Sequence, residues 1–172
     1  MVDDLTERVQ SSQNKLEDLI AKIPGIGAYQ KKEQRREADI LLRLHIAREL
    51  EERMGRLSQT QYALTSQGRL DVTLALERAA TKLQILIDRI KTASYGYAGL
   101  FDAIKVDEEV LDRLYKFDET MLDELDLLDD ALSDVESRVD GEEPIMESAN
   151  ALIRCLEAMN RTFSERQDVL VR

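Results

Sequence analysis

Apolar residues return along most of this chain at alternating spacings of three and four, the rhythm that lays a single stripe along an α-helix. Leu5, Val9, Leu16, Leu19, Ile20 and Ile23 predict a first helix over 2–22, with Ser12 weakening the middle of its stripe. Pro24, Gly25, Ile26 and Gly27 end it, because proline disfavours helix in the residue before it and glycine reaches backbone angles that other residues avoid. A second helix over 29–65 carries Ile40, Leu44, Ala47, Leu50, Met54, Leu57 and Leu64 as its inner stripe. Gly55 lies inside it, a costly residue there that signals a close crossing or a mild kink. Ser66, Gln67 and Gly68 then form a turn into a third helix over 70–94, striped by Leu76, Ala80, Leu83, Ile87 and Ile90.

The rhythm breaks at residues 95–101, where two glycines sit among Tyr95, Tyr97 and Phe101, and an ordered loop is expected. A fourth helix over 107–139 follows, with Asp107 as its cap and Glu108 and Glu109 at the positive end of its dipole. From Met121 its stripe becomes heptad-like through Leu125, Leu128, Leu132, Val135 and Val139. Asp140 and Gly141 end that helix, and Pro144 suits the first turn of a fifth over 144–171. The fifth stripe is Ile145, Ala149, Leu152, Leu156, Met159, Phe163 and Leu170, with Arg166 as its one polar member. A connection of so few residues makes helices four and five an antiparallel hairpin. Their heptad seam, with Leu156 at its centre, can close either within the chain or between chains. The expected fold is all-α, a single elongated domain of about five helices in long coiled-coil-like pairs.

Composition narrows the class further. Seven glycines and two prolines in 172 residues are too few for the turns of a sheet protein. Of the charge of -11, residues 107–143 account for -13, with 16 acidic and 3 basic side chains. Such a face repels nucleic acid and anionic lipid, so neither is an expected partner. The single Cys155 cannot form an internal disulfide and predicts a reducing compartment. The acidic opening Met1, Val2, Asp3, Asp4 and the lack of an apolar run near 20 residues predict a cytoplasmic protein, with membrane association not expected.

Candidate chemistry is sparse. Residues 24–39 place a glycine loop before a helix start carrying Lys31, Lys32, Arg35 and Arg36, where free N-H groups and the helix dipole favour an anion or an acidic partner. The spacing is not that of a P-loop, and Glu33, Glu37 and Asp39 can pair with those bases along the helix. Tyr95, Tyr97, Phe101, Tyr115 and Phe117 are five of the eight aromatics, suited to capping a bundle end or to forming a recognition loop at 95–102. Glu119, Asp123, Asp126, Asp130 and Asp134 line one helix face, but a straight helix does not converge oxygens on a cation, so a solvated face is expected. His45, the only histidine, lacks the Glu-x-x-His context of bundle metal sites and any nucleophile elbow. No catalytic residue, metal or cofactor is assigned.

The strings G-x-G-A-Y-Q-K-K-E-Q-R-R-E-A-D over 25–39 and D-R-I-K-T-A-S-Y-G-Y-A-G-L-F-D over 88–102 resemble an uncharacterised family of bacterial helical proteins with no assigned activity. That resemblance implies a bacterial origin. The plan of long charged helices is also similar to phage-shock-type membrane scaffolds, although the first helix lacks their basic amphipathic anchor. The expectation is a non-catalytic interaction or scaffold protein that binds itself or another helical protein, with no small molecule identified. The alternative is an anion or small-ligand domain, possibly enzymatic, built from the basic helix start and the loop 95–102.

Overall fold

A computed structural model describes residue 18 and residues 34–97, 108–141 and 144–171. These residues form α1 (Gln34–Ser66), α2 (Leu70–Tyr97), α3 (Glu108–Ser137) and α4 (Ile145–Val171), with no strand among them. The chain is therefore an all-α helical bundle, with four described helices rather than about five. The expected first helix over 2–22 lies outside the described residues apart from Asp18, which is helical and exposed. At 1.5 Å per residue the 33 residues of α1 span about 50 Å.

Two hairpins make the bundle. Between α1 and α2, Gly68 adopts φ +74, while Arg69 N donates to Leu64 O and Gly68 N to Thr65 O. This is a Schellman closure, and its left-handed residue favours glycine because it has no Cβ to clash. Between α3 and α4, residues 138–140 turn and Pro144 immediately precedes the helix. The hairpins lie side by side, α1 against α3 and α2 against α4. Arg53 meets Asp129 and Gln67 meets Asp140, so α1 and α3 run the same way. Likewise Lys82 meets Glu157 and Arg89 meets Gln167, so α2 and α4 are parallel too. Around the bundle the order is α1, α2, α4, α3, and residues 98–107 join helices that sit diagonally.

The core holds every predicted member of the α3 stripe from Met121 to Val139, and Ile145, Ala149, Leu152, Leu156, Met159 and Phe163 of α4. The heptad seam thus closes inside this chain. On α1 the expected stripe needs correcting. Leu44 is 53% exposed, whereas Leu42, Ile46 and even Arg43 are buried. Three of the five residues 42–46 are leucine or isoleucine, and a third of the way round the helix decides between them only once two neighbours are in place. The third helix also runs on to Tyr97, so Tyr95 and Tyr97 belong to its last turn and not to a loop.

Gly55 marks neither a close crossing nor a packing constraint, since it is exposed and an added Cβ would meet nothing within 4 Å. Gly55→Ala should therefore stabilise the protein by about 0.5–1 kcal/mol through the unfolded chain's lost freedom. A melting temperature raised by roughly 1–4 °C is the expected reading. A lowered one would place an undetected neighbour against this face.

Candidate functional site

Below the ion pairs that join α1 to α3, the two helices line an open cleft of about 400 Å³. It is lined by His45, Glu49 and Arg53 from α1, one per helical turn, and by Leu122, Asp123, Leu125 and Asp126 from α3. Leu125 is buried and Leu122 half-buried, which gives the cleft an apolar floor beneath charged walls. Arg53 is committed to its own helix and to α3: its Nη1 donates to Glu49 Oε2 at 2.9 Å, and its Nε lies 3.5 Å from Asp129 Oδ1. Asp123 and Asp126 are exposed and have no basic partner among the described residues.

Above the cleft, Arg56 ties α1 to α3. Its Nε and Nη2 reach the two carboxylate oxygens of Glu136 at 3.0 and 2.6 Å, Nη2 also donates to Ser133 Oγ at 3.0 Å, and Nη1 pairs with Asp129. These contacts raise the pKa of its guanidinium further, the Glu136 hydrogen bond contributing most. Neither Asp129 nor Glu136 belongs to the expected acidic stripe. Of that stripe, Glu119, Asp123, Asp126 and Asp130 are exposed as expected, and Asp134 accepts from Arg138 at 2.9 Å.

Opposite the cleft, α2 is latched to α4 by polar groups. Arg89 donates to Asn160 O at 3.1 Å, to Ser164 Oγ at 2.8 Å and to Gln167 Oε1 at 3.0 Å, with its guanidinium carbon 5.2 Å from the centre of the Phe163 ring. Asn160 Nδ2 returns a hydrogen bond to Lys82 O. Arg166, the polar member of the α4 stripe, is paired with Asp118 in the core, both at 1% exposure, through Nε to Oδ1 at 2.6 Å and Nη2 to Oδ2 at 3.2 Å. Asp118 escaped the sequence reading, yet stepping the heptad back three residues from Met121 lands on it.

The other sequence candidates divide between described and undescribed parts. Arg35 and Arg36 stand on the first turn of α1 and Tyr95 and Tyr97 on the last turn of α2, at the same end of the hairpin, though their side chains are not among those described. Lys31, Lys32 and Phe101 lie outside the described residues. Tyr115 is buried and Phe117 packs against the core. No group of histidine, cysteine or carboxylate side chains suited to a metal occurs among the described residues. None of the described helices is long and apolar enough to cross a membrane.

Comparison with protein-family models finds none that matches, and comparisons with curated proteins and with solved structures find no match either. No family is shown. The functional reading therefore rests on the surfaces themselves.

Two titratable groups sit together on the outer side of the α3–α4 hairpin. Burial holds the Glu124 carboxyl above the usual range against the opposing pull of a hydrogen bond from Thr162 Oγ1 at 2.8 Å. Burial also pushes the Cys155 thiol up to about 11, with Glu124 adding to it, so this cysteine is a poor nucleophile at neutral pH. An acid whose pKa is raised on folding holds its proton more tightly folded than unfolded, so stability falls as pH rises through and beyond its ordinary value. Glu124→Gln keeps an acceptor for Thr162 and removes that slope. Its melting temperature should exceed the wild type's at pH 7 and converge with it near pH 4. Asp134 and Glu157, lowered by hydrogen bonds from Ser148 and Lys82 respectively, contribute in the opposite sense in both proteins and cancel from the comparison. Parallel curves at all pH values would remove Glu124 from the account.

Proposed function

We propose that this chain is a non-catalytic helical interaction or scaffold protein that binds itself or a partner protein through amphipathic helix faces. The supporting observation is the outer face of α2, where Leu70, Leu74 and Ile85 are 61%, 68% and 48% exposed. At 100° per residue they fall within an arc of roughly 60° that also holds the exposed Thr81, Asp88 and Thr92, so aliphatic side chains stand among polar ones on a face turned away from the core. Burying such a line against another helix removes apolar surface from water at about 25 cal/mol per Å². The heptad stripes of α3 and α4 are spent within the chain, so association through helix faces would use exposed apolar residues such as these.

The test is Leu70→Glu combined with Leu74→Glu, exposed positions whose change leaves the core intact. Wild-type protein should sediment above its monomer mass of 19.7 kDa, or retain a protein on affinity capture from its native cell, and the variant should do neither. A wild type that is monomeric and captures nothing, or a variant that behaves as the wild type does, would sink this reading.

A further inference from the structure

Of the four neighbouring helix pairs, α1 and α3 make the least extensive contact among the described residues, and the pairings within each hairpin are the most extensive. Charge is what ties α1 to α3 at the surface. Arg53 Nε lies 3.5 Å from Asp129 Oδ1, and Arg56 holds Asp129, Ser133 and both carboxylate oxygens of Glu136. Arg56, Asp129 and Glu136 are 34%, 42% and 32% exposed, so water and salt reach all three. Beside these ties the cleft interrupts the apolar seam, with Leu122 and Leu125 as its floor.

The opposite edge is built differently. Arg89 of α2 donates to the Asn160 carbonyl, the Ser164 hydroxyl and the Gln167 amide oxygen of α4, acceptors that carry no charge, and its guanidinium stands over the Phe163 ring. Lys82 and Glu157 add an ion pair to this neutral set at 2.9 Å. Salt screens opposite charges that water reaches, so it loosens the α1–α3 edge more than the α2–α4 edge. Local openings begin where buried apolar contact is thinnest and solvent already reaches the polar ties. We propose that α1–α3 is the opening edge of the bundle, with Arg56 as its clasp: when the clasp releases, the two hairpins swing apart about the α2–α4 edge while each stays packed in itself. The motion bares inward residues such as Leu57 of α1 and Leu132 of α3. It holds whether or not the outer face of α2 takes a partner.

Thiol labelling of the folded chain tests this, in a Cys155→Ser background so that one introduced thiol reports. Thr60 lies one turn beyond Arg56 on the same face of α1 and is 6% exposed. Ser148 is 4% exposed and donates to Asp134 within the α3–α4 hairpin. Thr60→Cys should therefore react when the edge opens, and Ser148→Cys only when a hairpin comes apart. Circular dichroism confirms first that each variant is helical, and each rate is taken relative to the same thiol in the urea-unfolded chain. Thr60→Cys should label faster than Ser148→Cys, and faster still between low salt and about 0.5 M salt. Adding Arg56→Gln should speed Thr60→Cys by about fivefold, the upper range for an ion pair that solvent reaches. Arg89→Gln, on the edge that serves as hinge, should leave that rate unchanged. Equal rates for the two reporters, or equal acceleration by Arg56→Gln and Arg89→Gln, would mean that the thiols are reached by unfolding of the whole bundle, and overturn the proposal. A Thr60→Cys rate that neither Arg56→Gln nor salt moves overturns it as well, because Arg56 is then no clasp.

Discussion

Asp118→Ala should lower the stability of this protein by about 3–5 kcal/mol, because it removes the carboxylate that balances the Arg166 guanidinium in the core. Both side chains are 1% exposed and joined by two hydrogen bonds, so bulk solvent does not take the place of the lost carboxylate. For a chain of this length the melting temperature should drop by roughly 10–15 °C. The pair as a whole is a different matter. Two buried charges lose hydration that their attraction only partly returns, and replacing both with apolar residues is commonly neutral or stabilising by about 1–4 kcal/mol. Asp118→Leu with Arg166→Met should accordingly recover most of what Asp118→Ala loses. If the single change costs under about 1 kcal/mol, the magnitude expected of an exposed pair, the ion pair is open to water. If the double variant is as unstable as the single one, the pair stabilises the fold outright.

Leu156→Asp should be at least as damaging. Leu156 has no exposed surface and lies between Leu152 and Met159 on the inward face of α4. The change removes a buried leucine, worth about 2–5 kcal/mol when cut back to alanine, and adds a carboxylate with no partner in an apolar seam. Because the seam closes against the rest of the same bundle, the loss should be independent of protein concentration, which calorimetry at two concentrations tenfold apart would check. A melting temperature that depends on concentration in the wild type and not in the variant would instead place Leu156 between chains. Leu156→Ala provides the milder comparison and keeps the measurement possible if the aspartate variant does not fold.

Much of the architecture is legible in the chain. The heptad runs of α3 and α4 have regular spacing, and a stripe repeating over four turns allows one choice of inward face. Gly68 is readable as a helix stop for an equally local reason, since only the backbone of its own turn is involved. The region around Leu44 is not, because leucines and isoleucines stand on several sides of the helix there, and burial goes to those facing α2 and α3. The order α1, α2, α4, α3 is likewise beyond a periodicity argument: apolar contacts are non-directional, so a stripe says that a face is buried without saying by which neighbour. The same limit hides the ties between Arg56 and Glu136 and between Asp118 and Arg166, whose partners are 80 and 48 residues apart. It also hides the cleft of His45, Glu49, Asp123 and Asp126, whose lining comes from two helices far apart in the chain. Local spacing determined where the helices lie and which way most of them face; which charges meet, and where an opening remains, was decided by the packing of one hairpin on the other.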